Sequence, residues 1–185
     1  NSSSLFGYPF HRHYRDRNPH VFLSADRVYI PVVKEPERIF PTSELETRFN
    51  RPSHYNRVTS GCGIGIHRDS RIGAQYFGDA FICEPVHNLV RRLILKPNGP
   101  IFTGRRAKDE QTSEYLSSTD NWFRPAQVKT GPDGTLWVVD MHRAVIEHPR
   151  WISEERLREL DVRAGSGAGR IYRVLAPGPR AQKIP

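Results

Sequence analysis

Two stretches of this 185-residue chain, residues 58–107 and 124–175, share one texture: short apolar runs separated by turn residues. In the first, Ser60–His67 alternates weakly about Gly63 and Gly65, and Asp79–Cys83, Leu89–Leu95 and Pro100–Gly104 read as further strands. Pro97-Asn98-Gly99 supplies a tight turn, because Asn-Gly accepts the positive φ that hairpins favour. In the second, Pro125–Lys129, Thr135–Val139 and Gly169–Leu175 are strands, the first two joined by Gly131-Pro132-Asp133-Gly134. Consecutive short strands with hairpin connections make antiparallel meanders. Two of them repeating at about 50–60 residues predict an all-β chain, with antiparallel four-stranded blades of a partial β-propeller. A small β-sandwich is the competing arrangement. Closed propellers need roughly four to eight blades, so two blades form a wedge of something larger. The chain opens at Asn1 and has Met141 as its sole methionine, which also reads as a piece of a longer protein.

Long irregular loops and one short helix complete the pattern. Ser153 is placed to cap a helix running to Leu160, with Glu154 and Glu155 favourable at its positive end and Gly165–Gly169 breaking it. Residues 1–57 are rich in Pro, Arg, His and aromatics. Apart from an edge strand at Arg27–Val33, they read as a loop-rich segment packed on the propeller, and 176–185 reads as a tail.

Lys and Arg total 28 against 20 Asp and Glu, a formal charge of +8, yet only five of the 28 are Lys. Arginine suits bidentate carboxylate recognition and partly buried ion pairs. A nucleic-acid binder concentrates its charge in a stripe or tail, whereas these arginines are scattered among acids and aromatics. Ion-pair networks holding long loops are therefore the expectation, and nucleic-acid binding the weaker alternative. A mean hydropathy of −0.62 is low, but 10% aromatic residues argue for a packed core. No apolar run approaches the roughly 20 residues of a membrane-spanning helix. Without a Cys-x-x-Cys pair, neither covalent c-type haem nor a thiol redox motif is available in this chain. If the first hairpin turns near residue 72 or 73, Cys62 and Cys83 stand opposite each other. A cross-strand disulfide is then within reach, and with it an oxidising compartment; two buried free thiols are the alternative.

Specific residues add what patterning cannot. Cys83-Glu84-Pro85-Val86-His87-Asn88-Leu89-Val90 precedes Arg105-Arg106-Ala107, and Ser117-Ser118-Thr119-Asp120-Asn121-Trp122-Phe123-Arg124-Pro125 precedes Thr130-Gly131-Pro132-Asp133-Gly134. Val139-Asp140-Met141-His142-Arg143, Ile146-Glu147-His148-Pro149, and Arg163-Ala164-Gly165 ahead of Gly169–Val174 complete the set. Together they resemble the membrane-bound dehydrogenase family of planctomycete and verrucomicrobial type. Its propeller is similar to soluble glucose/sorbosone dehydrogenases that use pyrroloquinoline quinone. The resemblance is dense over residues 50–175. It implies the C-terminal part of the propeller of a periplasmic or secreted protein, whose partners are the remaining blades and downstream helical-repeat and cytochrome c domains. The implied activity is quinone-dependent oxidation of a sugar or alcohol, with pyrroloquinoline quinone and calcium as cofactors. A non-catalytic carbohydrate-binding or interdomain scaffold module is the rival.

Blade geometry predicts where a site would lie. The long polar stretches Glu84–Asn88, Lys108–Arg124 and Asp140–Pro149 should share one rim, and the shorter loops at Asp69–Gly78, Pro97–Gly99 and Gly131–Gly134 the opposite end. Loops presented by a rigid scaffold commonly carry binding residues. His87 and His142 are the candidate general bases. Glu84 and Asn88 are candidates for orienting substrate, or else hold their own loop through backbone bonds. Asn121, Trp122, Arg124 and Arg143 are candidates for a stacking, charge-positioning corner for sugar or quinone. Asp140 and Glu147, near His148, suit calcium through oxygen ligands, or alternatively an ion-pair network.

Overall fold

A computed structural model of the chain describes residues 10–20, 38–44, 55–98 and 101–177. The predicted strand at Arg27–Val33 lies outside them, as does Gly99 of the Pro97–Gly99 turn. The chain is all-β, arranged as two antiparallel sheets of partial-propeller type, one of them strongly curled.

The first sheet contains β1 (Cys62–Ile66), β2 (Ala80–Glu84), β3 (Leu89–Asn98) and β4 (Ile101–Arg105) in sequence order, with β5 (Leu116–Ser117) also paired to β3. Strand β3 serves two neighbours along its ten residues: Leu89–Leu93 pair with β2, and Ile94–Asn98 with β4. The second sheet is β6 (Pro125–Thr130), β7 (Leu136–Asp140) and β8 (Arg170–Val174). It has three strands among the described residues rather than the four expected. The turn between β6 and β7 is held by Asp133, whose carboxylate accepts from the Thr135 backbone N–H (3.1 Å), the Thr135 hydroxyl (2.7 Å) and the Trp137 indole (3.1 Å).

Every side chain of β2 is buried, so β2 is covered on both faces. Phe81 and Cys83 point into the core between the sheets with Ile72, Val90, Phe123, Val128, Leu136 and Val138. Ala80 and Ile82 pack on the other face with Leu93. Burying each large apolar side chain contributes about 1.5–3 kcal/mol. The sheets meet where β1 crosses β6, and two glycines allow it. A Cβ on Gly63 would collide with the Ala126 carbonyl, and one on Gly65 with that of Val128.

Helix α2 (Glu154–Glu159) is capped as expected, the Ser153 hydroxyl accepting from the Arg156 N–H. A second helix, α1 (Phe10–Arg17), lies in the segment read as irregular. Residues 38–44 run against the first sheet, where Ile39 is buried with Val58 and Leu89. No helix among the described residues is long and apolar enough to cross a membrane.

The arginines hold long loops, as their scattering suggested. Arg92 is buried between Asp79 (3.6 Å), Asp109 (3.4 Å) and Glu110 (3.3 Å), with its guanidinium 4.7 Å from the Tyr76 ring centroid. Burial outweighs that cation, raising Asp79 to about 6 and Glu110 to about 7. Arg106 pairs with Glu114 and donates to the Arg38, Glu110 and Ser113 carbonyls, tying the 38–44 segment to the loop after β4.

Candidate functional site

The three long loops do gather at one end. Asn88, in the left-handed conformation that asparagine tolerates (φ 57°), donates from Nδ2 to the Asn121 carbonyl at 3.1 Å and to that of Phe123 at 2.6 Å. Arg124 is buried and reaches in both directions. It donates to Pro85 O (3.0 Å) in the first loop, and to Arg143 O and Ala144 O (each 3.0 Å) in the third. Backbone bonds from Arg143 N to Trp122 O and from Met141 N to Arg124 O close the cluster. At the opposite end, Arg68 N and His67 Nδ1 lie 3.1 and 3.2 Å from the Thr130 hydroxyl, and the Asp69 carboxylate packs against Gly134.

Most residues proposed for chemistry turn out to hold this rim together. Glu84 accepts from the Ser60 N–H (3.0 Å) and hydroxyl (2.7 Å) and from the Thr59 hydroxyl (3.2 Å), which binds residues 59–60 to the end of β2. Its Oε1 also lies 3.3 Å from His87 Nδ1. His87 is only 1% exposed, so it sits under the rim and meets no molecule docked on it. Asn88 and Arg124 are committed to carbonyls, as described. Asp140 is buried, its Oδ1 accepting from Arg124 N (2.7 Å) and His142 N (2.8 Å) and its Oδ2 lying 3.6 Å from Arg170 Nε. Glu147 accepts from the Ile146 N–H at 3.1 Å, and Arg143 Nη1 lies 3.5 Å from the Arg163 carbonyl. His148 accepts from Arg150 N at 3.1 Å and caps the short turn Pro149–Trp151.

What reaches the surface is a smaller corner. Trp122 is 39% exposed, and its ring lies 5.5 Å from that of His142, tilted by 57°. His142, itself at positive φ, places Nδ1 3.9 Å from Asp120 Oδ2 and 3.8 Å from Asp140 Oδ2. Asp120 was not singled out as a site residue. Its Oδ1 accepts from the Trp122 N–H at 2.8 Å and so fixes the turn that presents the indole, while its side chain remains 52% exposed. The local signal was the Asp120-Asn121-Trp122 tripeptide, since an Asp two residues before a turn position commonly makes this bond. Nearby, Met141 is also exposed. A separate groove of 310 Å³ lies between the 38–44 segment and the loop after β4, lined by residues including Phe40, Thr42, Glu114 and Ser117. None of the predicted site residues lines it.

The groups implied by the family resemblance do not fit these residues. Calcium needs several converging oxygens, and among the described residues no three His, Cys, Asp or Glu side chains gather as a metal site. Asp140 and Glu147 are turned to backbone N–H groups. A polycarboxylate quinone needs several available cations. Of the two arginines proposed for it, the Arg124 guanidinium is spent on carbonyls at 3.0 Å, which leaves Arg143 as the single cation of that pair on the rim.

Cys62 and Cys83 are register partners across β1 and β2, as the hairpin reading predicted, and both are free thiols.

Neither the curated proteins nor the solved structures contain a match to the chain. One family model does match, over residues 1–177, and it is described as a domain of unknown function, DUF7133. The chain, two sheets with their long loops bound into one rim, belongs to the DUF7133 family.

Proposed function

We propose that the chain is a recognition wedge of a dehydrogenase-type propeller, binding a carbohydrate-like polyol at the corner formed by Trp122, His142 and Asp120. The observation that carries this reading is the exposed Trp122 indole, braced by His142 at 5.5 Å and flanked by the half-exposed Asp120 carboxylate. An indole offers the C–H face of a sugar ring a flat apolar surface. A carboxylate and an imidazole beside it exchange hydrogen bonds with the ring hydroxyls. The rest of the rim supplies rigidity, which lowers the ordering cost of binding.

Isothermal titration of the folded chain with neutral mono- and oligosaccharides tests it. Saturable binding is expected, abolished by Trp122→Ala and weakened at least tenfold by Asp120→Ala. No heat with any of these ligands would remove the reading.

One observation favours a catalytic variant. His142 Nδ1 lies 3.9 and 3.8 Å from the Asp120 and Asp140 carboxylates, which orient the ring as a proton acceptor for an alcohol hydroxyl. In that variant the redox group is held by other blades of the parent protein. Dye reduction by the parent, supplied with sugars, pyrroloquinoline quinone and calcium, should then fall at least a hundredfold in His142→Ala.

A further inference from the structure

Cys62 and Cys83 are Cα partners across β1 and β2, and both side chains join the core between the sheets, so they leave their strands on the same face. Directly opposed residues of an antiparallel pair have Cα atoms about 4.5–5.5 Å apart. That lies within the roughly 4.4–6.8 Å that a disulfide spans. In the reduced protein described here, the Cys62 thiol instead faces β6, with Sγ 3.7 Å from the Ala126 carbonyl and 3.9 Å from that of Pro125.

We propose that Cys62 and Cys83 form a redox clasp, in which an oxidising disulfide such as glutathione disulfide converts the two thiols into a cross-strand bond. Cys83 is fully buried and Cys62 is half-buried, so Cys62 is the thiol that an exchanging disulfide meets first. Its thiolate attacks one glutathione sulfur and expels the other as glutathione thiolate, leaving a mixed disulfide. Cys83 then loses its proton to water and attacks the Cys62 sulfur, releasing the second glutathione. Two electrons pass from the protein thiols to one glutathione disulfide, which leaves as two glutathiones. Burial pushes both thiols up, so the exchange is slow in the folded chain and fast during folding.

The bond changes what holds β1. In the reduced form, β1 is tethered to the second sheet by the glycine-mediated crossing over β6 and by the Cys62 thiol on the β6 carbonyls. Oxidation turns that sulfur away from β6 and joins β1 covalently to β2. It also closes the loop that carries His67 and Asp79, whose backbones pair at 3.0 Å.

The full chain is equilibrated with glutathione disulfide or with dithiothreitol, then unfolded, alkylated and weighed. The oxidised sample is expected to carry no alkyl groups, to weigh about 2 Da less than the reduced chain, and to yield a peptide joining Cys62 to Cys83. Its melting midpoint should rise by about 5 °C, because closing the loop restricts the unfolded chain. Cys62→Ala, at a half-buried position, should abolish both effects while melting close to the reduced parent. Two alkylatable thiols after oxidation, a persistent glutathione adduct, an intermolecular dimer, or an unchanged midpoint would each overturn the clasp.

Discussion

Arg124 donates from Nη1 to the carbonyl of Pro85 at 3.0 Å, and this bond joins the loop leaving β2 to the residue just before β6. The same guanidinium holds the loop after β7 through Arg143 and Ala144. A buried guanidinium thus lies against carbonyl dipoles, and three loops are bound by one side chain. Arg124→Met keeps much of the side chain's length and removes its donors, leaving the carbonyls unsatisfied. It should cost about 3 kcal/mol in denaturant unfolding. Arg124→Lys should recover less than half of that, because a single ammonium cannot reach both loops.

The crossing of β1 over β6 rests on absent side chains. Gly65→Ala places a methyl against the Val128 carbonyl and should destabilise the chain by about 2–4 kcal/mol. Gly167→Ala is the control, since a Cβ there meets nothing within 4 Å, and its midpoint should match the parent. Equal effects from the two substitutions, read by thermal unfolding, would contradict the close packing of the sheets.

Burial around Arg92 makes stability depend on pH. Asp79 and Glu110 titrate at about 6 and about 7 in the folded chain, above their ordinary values of 3.8 and 4.5. The folded state therefore holds protons that the unfolded chain releases, and stability declines as pH rises from about 4.5 to 7. Glu110→Gln should flatten that decline by about 2 kcal/mol, read as denaturation midpoints across the window. His67 acts in the opposite sense. Burial lowers its proton affinity, so the stability it contributes is present at neutral pH and lost as pH falls below about 6.5. In His67→Gln that acid-side loss should shrink.

The strands were legible because alternation and turn residues act locally, and Ser153 capped its helix for the same reason. The Cys62–Cys83 register followed from where the hairpin turns. Helix α1 was not legible: Phe-His-Arg-His-Tyr-Arg-Asp-Arg offers only Phe10 and Tyr14 at helical spacing, in a segment dominated by charged and polar residues, and has no acidic first turn. Strand β5 is two residues long and exists only because β3 offers Leu89 and Val90 as partners. The rim was placed correctly, yet the roles within it depended on contacts far apart in the chain. Glu84 meets residues 24 and 25 positions away, and Arg124 meets carbonyls 19 to 39 positions away. Residue type alone marks such groups as reactive, and only their partners show that they are occupied.

Recognition at the corner should also depend on the brace as well as on the indole. His142→Ala removes the ring lying 5.5 Å from Trp122 and leaves the backbone turn at Asp120 in place. Sugar affinity should fall about three- to tenfold, with the unfolding midpoint within about 2 °C of the parent. A loss of affinity matched by a collapse in stability would assign His142 to folding rather than to binding.

The most direct measurement is a two-dimensional NMR titration that follows the indole N–H signals of Trp122, Trp137 and Trp151 while a neutral oligosaccharide is added. The account predicts a saturable shift of the Trp122 signal, with Trp137, whose indole is held by Asp133 at the far end of the sheet, unmoved. A stationary Trp122 signal, or larger shifts at Trp137 than at Trp122, would contradict it.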